Sequence, residues 1–125
     1  MKIYFDGGCK PNPGNMEICI VIEYRGHRVP LMIKNLGYGT NNIAEWAAIN
    51  MAAVEASKLN PEYVEFIGDS NLVVNQAKGN WKIKDKTLKE LHDSFIETTK
   101  GMKIKIRHIR REFNLAGNYL EKGCY

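Results

Sequence analysis

The sequence predicts an α/β protein: a five-stranded mixed sheet, three antiparallel strands followed by two parallel ones, with helices on both faces. Three observations predict it. Two runs rich in β-branched residues, Glu17–Tyr24 and His27–Lys34, meet at Arg25-Gly26, which is a hairpin signal. Two long segments of helical periodicity follow, about Asn42–Leu59 and about Asp85–Lys100. Short strand-like runs come after them, and strands joined through a helical crossover lie parallel.

Taken in order, the first strand is Lys2–Asp6, and it runs into the turn Gly7-Gly8-Cys9-Lys10-Pro11-Asn12-Pro13-Gly14. The hairpin strands come next. In the helix from about Asn42, the residues Ile43, Trp46, Ala47, Asn50, Ala53 and Val54 approximate one face, and the helix ends before Pro61. Val64–Ile67 reads as a short buried strand that stops at Gly68-Asp69, with a short helix from Ser70 to about Lys78. Leu88, Leu91, His92, Phe95 and Ile96 line the helix that Gly101 terminates. Met102–Ile109 alternates apolar and basic residues as a half-buried strand does, and a last short helix covers Leu115–Glu121.

The chain of 125 residues is read as a single domain over 1–125, long enough to bury a core without disulfides. Its hydrophobic content of 44% and charged content of 26% are those of an ordinary soluble globular protein; a monomer in the cytoplasm is expected. The longest strongly apolar run, Ile18–Ile22, is far too short to span a bilayer, so no membrane is expected. Cys9, Cys19 and Cys124 are odd in number and form no C-x-x-C pair, which argues against a disulfide framework or zinc site and for a reducing compartment.

Charge is unevenly placed. Lys78–Arg111 holds eleven Lys/Arg against four Asp/Glu, while the remainder is mildly acidic. Such a division suits a protein that grips a polyanion and does metal chemistry beside it, although a solvated basic face would read the same way.

Four positions are candidate metal ligands. Asp6 ends the first strand before a glycine turn, Asp69 ends the fourth strand, Glu45 lies in the first turn of the long helix, and Asn118 lies in the last helix. Each has an ordinary structural role: an Asx turn for Asp6, a capping box from Asn42 to Glu45, an N-cap for Asp69 and a polar helix residue for Asn118. Together they point elsewhere. If strands one and four are neighbours, Asp6 and Asp69 emerge side by side beyond the carboxyl ends of the sheet, where open α/β sheets bind ligands. Carboxylates gathered there repel unless cations neutralise them, and hard oxygen ligands suit Mg²⁺ or Mn²⁺. Two such ions are suited to phosphodiester hydrolysis.

Five motifs, in order and spanning nearly the whole chain, carry a family resemblance. Phe5-Asp6-Gly7-Gly8-Cys9-Lys10-Pro11-Asn12-Pro13-Gly14 resembles the opening signature of type 1 ribonucleases H. Thr40-Asn41-Asn42-Ile43-Ala44-Glu45 is similar to that family's helix start, Gly68-Asp69-Ser70-Asn71-Leu72-Val73 to its third carboxylate segment, and Gly79-Asn80-Trp81-Lys82-Ile83-Lys84 to the stretch that follows. Arg111-Glu112-Phe113-Asn114-Leu115-Ala116-Gly117-Asn118-Tyr119-Leu120 resembles its closing motif.

The resemblance implies a ribonuclease H-like fold and hydrolysis of the RNA strand of RNA/DNA hybrids by two-metal-ion catalysis, leaving 5′-phosphate products. It implies that Asp6, Glu45 and Asp69, with Asn118 weakly, ligate two Mg²⁺ ions, for which Mn²⁺ can substitute. It further implies substrate contacts at Gly7, Asn12, Asn42, Ser70 and the backbone around Cys9, where the RNA 2′-hydroxyl distinguishes the strands. Thr40 and Asn41 would hold a DNA-strand phosphate, Trp81 would pack along the DNA strand, and Lys82 and Lys84 would contact phosphates.

Two departures stand out. The basic protrusion of longer family members is absent, because Trp81-Lys82-Ile83-Lys84 leads almost directly into the next helix. Asn118 replaces the fourth carboxylate, which predicts weaker binding of the second cation unless Glu121, one helical turn on, reaches inward. That change keeps two rival readings open: a catalytically impaired hybrid-binding module, and a nuclease of the same fold acting on another nucleic-acid structure. His92 is expected to pack on its helix's apolar stripe, and His108 to be half-buried at a strand end.

Overall fold

A computed structural model describes residues 1–125. Its strands are β1 (Lys2–Cys9), β2 (Gly14–Tyr24), β3 (His27–Ile33), β4 (Tyr38–Gly39), β5 (Val64–Gly68) and β6 (Ile104–His108). Its helices are α1 (Asn41–Leu59), α2 (Asn71–Ala77), α3 (Lys86–Thr99) and α4 (Leu115–Lys122), with one 3-10 turn at Arg111–Phe113. The main sheet runs β3-β2-β1-β5-β6, antiparallel across β3-β2-β1 and parallel across β1-β5-β6. This is the expected mixed sheet. Two-residue β4, which the sequence reading missed, adds to the start of β2.

Local chemistry explains the connections. Arg25 and Gly26 both take positive φ, 50° and 79°, as a tight turn compatible with strand twist requires. Strand β1 outruns its expected end at Asp6, because Gly7, Gly8 and Cys9 continue to pair with Ile18, Glu17 and Met16 of β2. Thr40 caps α1, its Oγ1 accepting the Ile43 N–H at 3.2 Å. The cap therefore lies two residues before Asn42, and the expected capping box from Asn42 to Glu45 does not form. Glu45 is left free of capping duty.

Strand alternation divides the core between two faces. Ile3 and Phe5 join the large cluster under α1 and α3, which includes Trp46, Ile49, Phe66 and Phe95. Tyr4 joins Cys19, Val21, Ile67 and Ala116 under α4. Trp46 and Ala53 are buried as expected, but the rest of the buried face of α1 differs: Ala44, Glu45, Ala48, Ile49, Ala52 and Ala56 are buried, whereas Val54 is exposed. Alanines make this face. They let the helix approach β1, β2 and α3 at once, and an apolar count weighted to large side chains overlooks them. Trp46 is fully buried, and its indole N–H donates to Gln76 Oε1 at 2.9 Å, so neither polar group is stranded. His92 packs edge-on to Trp46, as its stripe position suggested. His108 is exposed rather than half-buried, with Nε2 3.2 Å from the Asp69 carbonyl. No helix is long and apolar enough to cross a membrane.

Candidate active site

The parallel pairing of β1 with β5 brings Asp6 and Asp69 to the same end of the sheet. Glu45 reaches them from the first turns of α1. That approach depends on Gly7, because a Cβ there would collide with the Ala44 carbonyl. One carboxylate oxygen from each of Asp6, Glu45 and Asp69 lies within 4.8 Å of the others.

Such crowding has an electrostatic signature. Burial pushes the Asp6 carboxyl up to about 6, and the neighbouring Asp69 charge adds to the rise, against lowering by the adjoining Glu45 carboxyl and Arg111. Burial, then the Asp6 charge, holds Glu45 well above the usual carboxylate range. Glu45 Oε2 is buried and has no hydrogen-bond partner at all. An unpaired carboxylate oxygen in a low-dielectric site is costly. A divalent cation removes both the orphaned acceptor and the repulsion, and the all-oxygen donor set fits Mg²⁺ or Mn²⁺.

The three carboxylates line a cleft of about 500 Å³. Glu17 and Glu121 line it too, against only Lys10 and Arg111 of opposite charge. Glu17 was not anticipated. It pairs with Gly8 across β1 and β2, so its side chain shares a face with Asp6, and the hairpin register would have revealed this had β1 been followed past Asp6. A depression of about 560 Å³ at the opposite end of the sheet is lined by Lys2, Glu23, Arg25 and His27 among others, and it holds no carboxylate cluster.

Of the remaining expected residues, Gly7, Cys9, Asn41, Asn42 and Ser70 share the cleft with the carboxylates. Asn12 and Thr40 stand just behind them. Asn12 Oδ1 accepts the Asn41 N–H at 3.1 Å, while Asn41 Oδ1 accepts the Cys9 N–H at 3.0 Å, tying the β1 turn to the start of α1. Trp81, Lys82 and Lys84 do not line the cleft. They are exposed on the short link between α2 and α3, with Trp81 44% exposed.

Asn118 is not brought to the carboxylates. Its amide donates to the carbonyls of Glu112 at 3.3 Å and Tyr125 at 3.2 Å, and it does not line the cleft. Helix geometry is the reason: Gly117, Leu120 and Glu121 form the stripe of α4 that faces the cleft, and Asn118 falls beside it. Asn114 carries a role that the sequence reading left unassigned. Fully buried, it caps α4 by accepting the Ala116 N–H and donates to both the Phe5 carbonyl and Asp69 Oδ2, at 3.0 and 3.3 Å. An Asn directly before a helix was the available signal.

Comparison with known proteins places this arrangement. A family model described as Reverse transcriptase-like matches residues 4–124. "Bifunctional protein Rv2228c" of Mycobacterium tuberculosis is 34% identical over 89 residues, covering 70% of this chain and 24% of that protein. The matched stretch thus spans about a quarter of that relative's length. Among solved structures, RNase H1 from the halophilic archaeon Halobacterium salinarum superimposes with a TM-score of 0.84 at 30% identity, covering 96% of each chain. LC11-RNase H1, solved in complex with an RNA/DNA hybrid, gives 0.79 at 32% identity, covering 90% of this chain and 87% of that one.

Proposed function

Because the chain belongs to the type 1 ribonuclease H family, we propose that it is an endonuclease hydrolysing the RNA strand of RNA/DNA hybrids, with two divalent cations and 5′-phosphate products. The observation that carries this reading is the orphaned, buried Glu45 oxygen inside the Asp6–Glu45–Asp69 cluster. Asp6, Glu45 and Asp69 would hold Mg²⁺, or Mn²⁺ in its place. When bound, the cations supply Lewis-acid stabilisation of the developing phosphate charge and an activated water.

The chain's own residues do the rest. Asn114 fixes the rotamer of Asp69 through its hydrogen bond, and Gly7 lets Glu45 stand close to Asp6. The Cys9 backbone, Asn41 and Asn42 border the carboxylates, so a 2′-hydroxyl entering the cleft meets amide donors and acceptors beside the reacting phosphate. The Asn12–Asn41–Cys9 hydrogen bonds hold those groups in place before substrate arrives. Ser70 and Gly7 complete the near rim, with Thr40 behind it at the start of α1, and Arg111 offers the phosphate a cation. Trp81, Lys82 and Lys84 extend the contact along the DNA strand, away from the chemistry. The chain acts as one ribonuclease H-like domain over 1–125, a monomer in the cytoplasm, where three unpaired cysteines are at home.

The test is cleavage of one labelled sequence offered as RNA/DNA hybrid, single-stranded RNA, duplex RNA and duplex DNA, with Mg²⁺, Mn²⁺ or a chelator, beside Asp69→Asn. Metal-dependent cutting of the hybrid's RNA strand, lost in Asp69→Asn, is expected. Cutting of another duplex overturns the substrate assignment. Hybrid bound but never cut makes the chain a binding module.

A further inference from the structure

We propose that Glu121 supplies this chain's fourth metal-facing carboxylate, in place of Asn118. This inference rests on the metal-centre reading above. Its starting point is where α4 lies. A Cβ on Gly117 would stand 3.1 Å from Asp6 Oδ2 and 3.7 Å from Asp69 Oδ2, so the helix backbone presses against both carboxylates at that residue. Asn118, the next residue, does not line the cleft and spends its amide on two backbone carbonyls. Glu121 is the next residue on the same stripe as Gly117, four positions on, and it lines the cleft.

Helical side chains lean toward the N-terminus of their own helix and cover the turn before them. Glu121 therefore leans back over Gly117. Glu121 is exposed and stands outside the Asp6–Glu45–Asp69 group in the metal-free chain, and the glycine leaves the turn between it and the Asp6–Asp69 pair without a side chain, so a cation can draw its carboxylate inward. No salt bridge or hydrogen bond holds the Glu121 side chain elsewhere. The independent sign that a cation belongs here is Glu45 Oε2, buried, unpartnered and part of the same cleft. Glu17 is the competing carboxylate. It arises from β2 opposite Gly8, beyond Asp6, rather than from the element that touches Asp6 and Asp69 together.

The experiment is calorimetric and paramagnetic-resonance titration of Mn²⁺ into the full chain without nucleic acid. The unmodified chain is compared with Glu121→Gln, Glu17→Gln, Asp69→Asn and Glu90→Gln, the last removing one exposed negative charge outside the cleft. Thermal melts show that each variant folds. Glu121→Gln is expected to weaken the weaker Mn²⁺ site about tenfold, within the range that supporting groups contribute to metal affinity, and to alter the bound-Mn²⁺ spectrum. Glu90→Gln is expected to do neither. Glu121→Gln matching the unmodified chain, or Glu17→Gln alone weakening the site, overturns the proposal while leaving the metal centre intact if Asp69→Asn still abolishes binding. No Mn²⁺ binding by the unmodified chain overturns both.

Discussion

Asp6 and Glu45 are carboxyl groups that folding forces into a proton-favouring environment. Their ordinary range lies near pH 4, and in the folded chain Asp6 rises to about 6 with Glu45 raised well above its usual value. The sign of the consequence is definite. In the absence of a cation the protonated forms are favoured by the fold, so these groups stabilise it fully below about pH 4, and that contribution is lost as pH rises through about 6 and beyond. Cation binding runs the other way, since each proton displaced changes affinity about tenfold per pH unit below the group's pKa. Thermal melts on either side of pH 6, with chelator and with Mn²⁺, should show the Mn²⁺-induced stabilisation growing as pH rises. A Mn²⁺ shift that is flat across this range would mean that the two carboxyls are not the ligands. The residue types were legible in the sequence, but their titration was not: it depends on burial, and Glu45 is buried because the α1 face that carries it packs against the sheet.

Helix α4 is the element that the sequence located well and oriented poorly. Its span was expected at Leu115–Glu121 and is Leu115–Lys122, yet the residue expected at the metal, Asn118, lies off the inward stripe. Helical spacing determines which residues share a face, and only packing determines which face turns inward. Here Ala116 is fully buried against Tyr4 and Ile67, and this rotates Gly117 onto Asp6. The same lesson holds for α1, where Trp46 and Ala53 of the expected stripe are buried but Val54 is exposed and Ala44, Ala48, Ala52 and Ala56 fill the rest of the inward face. The contact at Gly117 makes a prediction. Gly117→Ala gains about 1 kcal/mol of helix propensity but sets its Cβ 3.1 Å from Asp6 Oδ2, so stability should change little while Mn²⁺ affinity falls. Gly117→Val adds bulk in the same direction and should destabilise by about 1–3 kcal/mol as overpacking does. Chemical denaturation and Mn²⁺ titration on both variants separate the effects. Valine tolerated in both measurements would show that α4 does not need to lie against Asp6.

At the scale of the whole molecule, acidic and basic functions occupy different stretches of chain. The sheet polarity was readable from hairpin and crossover lengths, and it places Asp6 and Asp69 together because β1 and β5 are parallel neighbours. The cleft they form is acidic, with Glu17 and Glu121 added. The eleven Lys/Arg of Lys78–Arg111 lie mostly outside it, from the exposed link after α2 through β6. A polyanion held over an acidic cleft needs cations at the cleft and basic side chains away from it. Charge counting showed the division but could not show that Lys82 and Lys84 leave the catalytic rim, because the fold of the α2–α3 link decides it. Their separation from the cleft predicts a contribution to affinity that is independent of sequence and sensitive to salt. Each phosphate contact removed lowers the slope of log Kd against log salt by about 0.7–0.9. The double variant Lys82→Ala/Lys84→Ala should therefore bind hybrid more weakly at low salt and lose a slope of about 1.4–1.8, measured by fluorescence anisotropy over a salt series with Ca²⁺ replacing Mg²⁺. Its Mn²⁺ affinity without nucleic acid should remain that of the unmodified chain, because neither lysine touches the carboxylates. An unchanged salt slope would remove this link from the hybrid's path and leave the grip to Lys103, Lys105 and the arginines that follow them.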